Sequence, residues 1–205
     1  ILFGDGAAAV VLEKHEQGEL LAFDFGADGN LQPILYCDHD GFITMEGREV
    51  FKKAVRSVTQ SVENVLRKAE IEPGEIDVVL PHQANIRIIE AVAQRIGIPM
   101  QRNVTVLETT GNTSGASIPL AMAKADDDGL LEPGKLVLMA GFGAGAARTS
   151  ARISSISFIS AVPLAASARI LPMASVQIAS CAWVFWSSLT SNHFHSTSLQ
   201  ANSVC

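Results

Sequence analysis

The sequence predicts an α/β fold in which strands alternate with helices. Three observations point to it: a long amphipathic helix, short apolar segments that precede helices, and tight glycine-containing loops between them. Hydrophobic residues make up 48% of the 205 residues and charged residues 18%, so apolar material for a core is ample and disorder is not expected. We therefore expect a layered, folded protein.

The first elements follow from hydrophobic patterning. Small and β-branched residues favour a buried strand over residues 8–12, and the apolar run 20–25 favours a second strand closed by Gly26. Residues 28–46 are rich in Gly, Asn, Pro and Asp and predict an irregular loop. The clearest helix comes next. Its apolar residues recur at helical spacing and are Phe51, Ala54, Val55, Val58, Val62, Leu66 and Ala69.

A strand, a helix and another strand are predicted beyond that helix. Residues 76–80 form a short apolar run that favours a strand. Asn85 is a good N-cap for a helix whose apolar stripe ends at Ile96, before the stop signal of Gly97. Residues 104–107 then favour another strand.

The last predicted elements are one helix and two strands. A loop of small residues, 111–117, leads into a helix ending at Gly129. The aspartates 126–128 in its last turn oppose the helix dipole, so we expect them to lie at the surface. Two strands, over residues 135–140 and 146–153, complete the pattern.

Charge and cysteine content exclude several classes of function. The chain has 15 Lys and Arg against 21 Asp and Glu, a net charge of −6, which argues against nucleic acid as a partner. The three cysteines are widely spaced and suggest neither a disulfide framework nor a metal site, so we expect a cytoplasmic protein. The sequence has no signal peptide and opens within an element at Ile1, which favours a fragment.

Composition changes near Ile153, where we place a domain boundary. Residues 154–205 contain one charged residue, Arg169, and no steady helical or strand period. Their most apolar run, 170–186, admits a membrane-anchor interpretation, but it contains Pro172 and is shorter than the roughly 20 residues a spanning helix needs. We favour a shifted reading frame or read-through and expect residues 154–205 to be poorly ordered.

Three motifs give only weak functional signals. Residues 141–146 match a dinucleotide fingerprint, but a strand rather than a helix is predicted after them. Residues 37–40 (CDHD) are too close together to wrap one metal ion, so we expect no metal site. Ser114 lies in a segment whose spacing is wrong for a nucleophile elbow.

Two polar side chains remain at positions suited to chemistry. His82 follows a predicted buried strand and precedes a helix, and Asn112 lies at the same kind of junction after the next strand. Such junctions face the crevice at the carboxyl ends of the strands, where α/β proteins bind ligands. The alternative is that His82 caps a helix and Asn112 satisfies its own loop.

Residues 81–85 (PHQAN), 111–114 (GNTS) and 141–145 (GFGAG) together resemble the C-terminal half of β-ketoacyl-acyl carrier protein synthase III. Residues 3–8 (FGDGAA) and 45–52 (MEGREVFK) resemble the same family, so the likeness runs from residue 1 to about 153. It implies a thiolase-like layered αβα fold, with this sequence supplying the last strand of one half and nearly all of the other.

The resemblance implies a decarboxylating Claisen condensation of an acyl-CoA with malonyl-acyl carrier protein, which starts fatty acid biosynthesis. It assigns His82 and Asn112 as donors to the enolate oxygen of the malonyl thioester. A base for the cysteine is the alternative role for His82. The family's nucleophilic cysteine is absent, because Cys37, Cys181 and Cys205 do not lie in its motif.

The resemblance also implies residues around the catalytic pair. Gly47, Phe51, Ala84 and Asn85 would line the CoA and pantetheine channel. Arg87, with Lys52 and Arg95 as lesser contributors, would dock the acidic carrier protein. The complete protein would be a homodimer without a cofactor of its own, acting on neither membrane nor nucleic acid. A related condensing enzyme of quinolone or polyketide biosynthesis and a non-catalytic fragment are the alternative functions.

Overall fold

The computed structural model describes residues 3–10, 20–37, 41–143 and 157–163. Within these residues the chain forms strands and α-helices joined by short 3-10 turns. The strands are β1 (Ala22–Gly26), β2 (Leu35–Cys37), β3 (Ile43–Met45), β4 (Val78–Pro81), β5 (Leu136–Gly141) and β6 (Ser157–Pro163). The helices are α1 (Gly47–Ala69), α2 (Ile86–Ile96), α3 (Leu107–Thr110) and α4 (Ser117–Asp127).

The main sheet has the strand order β1-β6-β5-β4. Strands β4 and β5 are parallel, with Val79 opposite Leu138, and β6 runs antiparallel to both β5 and β1. Strands β2 and β3 form a separate antiparallel pair, with Tyr36 opposite Thr44. The parallel β4–β5 pair lies at one side of the main sheet and carries the candidate site at its carboxyl end.

Successive side chains of a strand point to opposite faces of the sheet. In the β4–β5 pair the side chains on both faces are buried. On one face Val79 and Leu138 join a hydrophobic cluster with α1 and α2. On the other face Val78, Leu80 and Val137 join a second cluster with α4. Helices on both faces of a sheet define an αβα sandwich, which confirms the predicted fold class.

Helices α1 and α2 form where the sequence predicts them. The apolar stripe of α1 is buried from Ala54 to Leu66, and the helix ends where Glu70 adopts left-handed geometry at φ 56°. Helix α2 begins at its predicted N-cap, because Asn85 Oδ1 accepts a hydrogen bond from the Arg87 N–H at 2.9 Å. Gly97, at φ +76°, ends it. The aspartates 126–128 are exposed, as predicted.

The predicted strand over residues 104–107 is wrong. Asn103 makes an isolated parallel bridge to Val79, and Leu107 already begins α3. The physical reason is Gln83, whose buried side chain takes the place of a neighbouring strand. Its Nε2 donates to the Val104 carbonyl at 3.1 Å, and its Oε1 accepts from the Val106 N–H at 3.0 Å.

Two other predictions need correction. Of the strand predicted over residues 8–12, residues 8–10 carry no strand and are exposed, since no described strand lies beside them to complete a ladder, and residues 11 and 12 lie outside the described residues. Residues 28–46 are more regular than an irregular loop, because they contain a 3-10 helix, Gly29–Ile34, and strands β2 and β3. The predicted strand over residues 20–25 is confirmed as β1, one to two residues further on.

Strand β6 lies within the segment that we expected to be poorly ordered. It pairs along its length with β5 and β1, and no period in the sequence indicated it. The strand predicted over residues 146–153 lies outside the described residues, as do residues 164–205 with their apolar run. The domain boundary near Ile153 stays a prediction. In the described part of the chain, no helix has the length and apolar character needed to span a membrane.

Candidate active site

His82 lies directly after β4, at the carboxyl end of the parallel pair. Its backbone N–H donates to the Ala140 carbonyl at 2.7 Å, which extends the β4–β5 ladder by one residue and fixes the backbone. The imidazole meets the Phe142 ring edge to face, with 5.2 Å between ring centroids. Burial lowers the pKa of His82 from 6.5 to about 4, so the imidazole is neutral at physiological pH.

The hydroxyl of Ser117, the first residue of α4, contacts the His82 side chain. Ser117 Oγ lies 2.6 Å from His82 Nδ1 and accepts a hydrogen bond from the Gln83 backbone N–H at 3.2 Å. Ser117 and Gln83 are both fully buried. One buried hydroxyl therefore joins the turn after β4 to the start of α4.

Asn112 lies five residues before Ser117, in the tight loop between α3 and α4. Its Oδ1 accepts from the Ser114 N–H at 2.9 Å, an Asx turn that commits the amide oxygen. The NH₂ group is then the group left for a ligand, since it makes no hydrogen bond within the described residues. Asn112 is thus fixed as a neutral donor.

The backbone around Asn112 is also held from the N-terminal segment. The Gly4 N–H donates to the Asn112 carbonyl at 2.9 Å. A Cβ on Gly4 would collide with the Thr110 carbonyl oxygen, so only glycine permits this close approach. Gly111, at φ +65°, supplies the turn itself. The Asn112 loop is therefore held by its own Asx turn and by Gly4, while His82 contacts the start of α4, the helix that follows this loop.

The predicted channel residues lie around the starts of α1 and α2. Gly47 is the exposed first residue of α1, and Phe51 is partly buried one turn later. Ala84 is partly buried and donates its N–H to the His82 carbonyl at 3.0 Å, while Asn85 is the exposed N-cap of α2. Their role in a channel stays a prediction.

An apolar cleft beside these residues reaches Phe142, the ring that contacts His82. Its lining includes Leu31, Leu35, Val50, Ala54, Ser57 and Phe142. None of the four predicted channel residues lines it. Phe142 is therefore common to the cleft and to the His82 contact.

The three predicted docking residues differ in their surroundings. The Arg87 guanidinium carbon lies 5.6 Å from the centroid of the Phe51 ring, a cation–π contact between α2 and α1. Lys52 pairs with Glu49 at 2.7 Å on the surface of α1. Arg95 is exposed in the last turn of α2 and makes no hydrogen bond or ion pair with the described residues. The structure brings Arg87 and Phe51 together and leaves Arg95 apart.

Sequence reasoning missed two residues of this site, Gln83 and Ser117. Both are polar residues at fully buried positions. A buried polar side chain must find hydrogen-bond partners, so such positions are where a search for supporting residues would begin. The pattern alone could not show that Ser117 reaches His82.

Comparisons with known proteins agree with the fold. The sequence model described as 3-oxoacyl-[acyl-carrier-protein] synthase III C terminal matches residues 66–154, and the model described as 3-oxoacyl-[acyl-carrier-protein] synthase III matches residues 1–29. The fold and these matches define the thiolase-like class of α/β proteins. More particularly, the chain belongs to the 3-oxoacyl-[acyl-carrier-protein] synthase III family.

Individual relatives show how much of the family this chain represents. It is 44% identical over 146 residues to beta-ketoacyl-[acyl-carrier-protein] synthase III of Aquifex aeolicus, covering 71% of this chain and 47% of the relative. The corresponding enzyme of Pectobacterium atrosepticum is 43% identical over 153 residues, 48% of its length. The chain therefore spans about half the length of the curated relatives that it matches.

Solved structures give the same proportion. A crystal structure of the synthase from Aquifex aeolicus superposes with a TM-score of 0.65 at 36% identity, covering 73% of this chain and 46% of that one. The structure from Pseudomonas aeruginosa superposes with a TM-score of 0.66 at 32% identity, covering 79% and 48%. The priming β-ketosynthase of the R1128 polyketide pathway has a TM-score of 0.60 at 30% identity, covering 72% of this chain and 45% of its own.

Proposed function

We propose that this chain is the catalytic C-terminal part of an acyltransferase that condenses an acyl-CoA with malonyl-acyl carrier protein and so initiates fatty acid biosynthesis. The single observation that carries the proposal is a partly buried, neutral imidazole at His82 whose Nδ1 lies 2.6 Å from Ser117 Oγ, at the start of the helix that follows the Asn112 loop. The names of the relatives support the reaction class.

The chemistry requires stabilisation of an enolate. When the malonyl thioester loses carbon dioxide, the electron pair of the broken C–C bond moves onto the thioester oxygen. Two preorganised hydrogen-bond donors aimed at that oxygen lower the barrier by a few kcal/mol each in a site that excludes water. Neutral donors suit this step, because a positive charge would also stabilise the carboxylate that must leave.

His82 and Asn112 meet this requirement. Imidazole donates through one N–H while neutral, and the amide donates through its NH₂. The enolate carbon then attacks the acyl-cysteine carbonyl, and the cysteine leaves as thiolate. That cysteine comes from outside this sequence, because Cys37, Cys181 and Cys205 do not match its motif. The substrates carry CoA and phosphopantetheine, so no further cofactor is proposed.

Carrier docking is proposed at Arg87, with Lys52 and Arg95 contributing less. Arg87 is exposed at the start of α2, and its contact with Phe51 holds its charge beside the start of α1. Lys52 is partly neutralised by Glu49, which lowers its expected share. An acidic carrier would be steered by the positive charge of this rim.

A substitution at Arg87 separates docking from chemistry. In the complete protein, Arg87→Ala should raise the KM for malonyl-carrier about tenfold and leave acylation by acyl-CoA unchanged. The matched control is Arg67→Ala, which removes an exposed arginine near the far end of α1. It should alter neither the KM for malonyl-carrier nor acylation by acyl-CoA. Equal loss with both substrates would contradict docking at Arg87.

A related condensing enzyme of polyketide biosynthesis is the second candidate, favoured by the 30% identity to the priming ketosynthase. A quinolone-type enzyme is the same kind of alternative, and a non-catalytic fragment is the third. We further propose that the complete protein is a cytoplasmic homodimer, as the resemblance and the cysteine distribution imply.

The test is formation of a β-ketoacyl product. The complete protein, with the part that carries the cysteine, would be given malonyl-carrier and a series of acyl-CoA starters, and the carrier-bound product would be read by mass spectrometry. We expect condensation with at least one acyl-CoA starter. Absence of a β-ketoacyl product with every starter would contradict the proposal, and use of only aromatic or long starters would favour a specialised pathway.

A further inference from the structure

The hydroxyl of Ser117 has a defined set of hydrogen-bonding partners. It is fully buried, and within the described residues two groups lie within hydrogen-bonding distance of Oγ, the Gln83 N–H and His82 Nδ1. The Gln83 N–H can only donate, so it uses a lone pair of Oγ. The hydroxyl hydrogen therefore has one available acceptor, Nδ1 of His82.

The partners of the Ser117 hydroxyl determine which nitrogen of the imidazole carries the proton. If Nδ1 were protonated, it would donate to Oγ, and the buried hydroxyl hydrogen would be left without an acceptor. If Nδ1 is unprotonated, all three groups are satisfied at once. A neutral imidazole with an unprotonated Nδ1 carries its proton on Nε2.

We propose that Ser117 is a positioning residue that holds His82 in the Nε2–H tautomer by donating a hydrogen bond to Nδ1. The catalytic consequence of this tautomer rests on the proposed function, whereas the tautomer itself does not. Gln83 supports the arrangement, because its side chain is anchored to the Pro81 and Val104 carbonyls at 2.7 and 3.1 Å and its N–H fixes the Oγ lone pair.

The tautomer matters for the proposed chemistry. Nδ1 faces Ser117 at the start of α4, so Nε2 is the ring nitrogen available to a ligand. In the Nε2–H form this nitrogen donates a hydrogen bond to the enolate oxygen. In the Nδ1–H form it would present a lone pair to a developing negative charge, and a correctly placed ring would fail as a donor.

The direct test is the nitrogen-15 NMR spectrum of the His82 ring in this chain at pH 7, assigned by comparison with His82→Gln. We expect a single neutral tautomer with the proton on Nε2. Ser117→Ala should give a mixture containing the Nδ1–H form, and Ser117→Thr, which keeps the hydroxyl, should restore the Nε2–H form. Thr59→Val removes another buried hydroxyl, on α1, and should leave the tautomer unchanged.

Two NMR outcomes would overturn the proposal. An Nδ1–H tautomer in the unsubstituted chain would do so, and this result does not depend on whether any variant folds. An unchanged tautomer in a folded Ser117→Ala chain would do so as well.

A kinetic test in the complete protein addresses the consequence. Ser117→Ala should lower kcat for malonyl decarboxylation about 100-fold with little change in KM, and Ser117→Thr should recover most of it. If the unsubstituted protein does not decarboxylate malonyl-carrier at all, the proposed function fails while the NMR result still decides the role of Ser117. Normal decarboxylation by Ser117→Ala would overturn the catalytic role.

Discussion

The protonation of His82 links the candidate site to the stability of the fold. Its pKa is about 4 in the folded protein against an ordinary value of 6.5, because burial disfavours the charged imidazole. Between these two pH values the unfolded chain binds more protons at this residue than the folded chain does. The free energy of unfolding therefore falls as the pH is lowered from 6.5 to 4.

We predict that titration of His82 lowers the free energy of unfolding by about 3 kcal/mol between pH 7 and pH 4, since one pKa unit corresponds to about 1.4 kcal/mol. Urea unfolding at both pH values measures it, with His82→Gln as the comparison that cannot titrate. The pH dependence of the unsubstituted chain should exceed that of the variant by roughly this amount. Equal dependence in both would show that the imidazole is not buried as described.

Individual residues also show how far the sequence predicts the site. His82 and Asn112 could be proposed as site residues because each is a polar residue at a junction between apolar elements, within motifs that resemble a known family. Ser117 could not, because its function depends on a contact with a residue 35 positions earlier. The contact between Arg87 and Phe51 is of the same kind. It depends on how α2 packs against α1, which cannot be read from the sequence of either helix.

At the scale of elements, Asp24 ties the edge strand β1 to helix α1. Its carboxylate accepts hydrogen bonds from Ser61 at 2.8 Å, from Lys68 at 3.1 Å and from Asn64 at 3.4 Å. Burial alone would raise the pKa of Asp24, but the hydrogen bonds from Ser61, Lys68 and Asn64 outweigh it and hold the pKa below 3.8. The ionised carboxylate therefore stabilises the folded state.

We predict that Asp24→Asn lowers the free energy of unfolding by about 1.5–3 kcal/mol at pH 7, the range for hydrogen bonds to a charged group. Because the folded-state pKa is lowered, this contribution is present above pH 3.8 and is lost as the pH falls through the folded-state value. Denaturant unfolding checks it, with Asp126→Asn on the exposed end of α4 as the control. A control as destabilising as Asp24→Asn would refute the proposed tie.

Elements differ in how well local sequence predicts them. Helices α1 and α2 follow from periodic apolar stripes and from Asn85 and Gly97 at the ends of α2, which are properties of the segments themselves. The strand predicted at residues 104–107 failed because the side chain of Gln83 satisfies that backbone from another part of the chain. Local patterns could not anticipate a hydrogen-bond partner 21 residues away.

At the scale of the whole molecule, the sheet contains a strand that the sequence did not indicate. Strand β6 stands between β5 and β1 and hydrogen bonds to both, although it lies beyond the boundary placed near Ile153. Among the described residues, removing it would leave β1 without a sheet partner and would expose one edge of β5.

Two shortened chains test this arrangement. A chain ending at Pro163 keeps β6, and a chain ending at Ile153 lacks it. We expect the shorter chain to unfold at a lower denaturant concentration than the longer one, as followed by circular dichroism. Equal midpoints would show that β6 does not hold the sheet together and would support the boundary near Ile153.

The central claim is that His82 and Asn112 act together on the malonyl thioester and not on acylation of the cysteine. The measurement is the two half-reactions, followed separately in the complete protein for His82→Ala and Asn112→Ala. The control is Asn30→Ala, which replaces an exposed asparagine in the 3-10 turn after β1 and should leave both half-reactions unchanged.

We expect labelled acyl-CoA to acylate the cysteine in both variants, while release of carbon dioxide from malonyl-carrier falls at least 100-fold in each. A variant that releases carbon dioxide at the normal rate but fails to acylate the cysteine would contradict the claim for that residue. For His82, that result would assign the imidazole as a base for the cysteine instead.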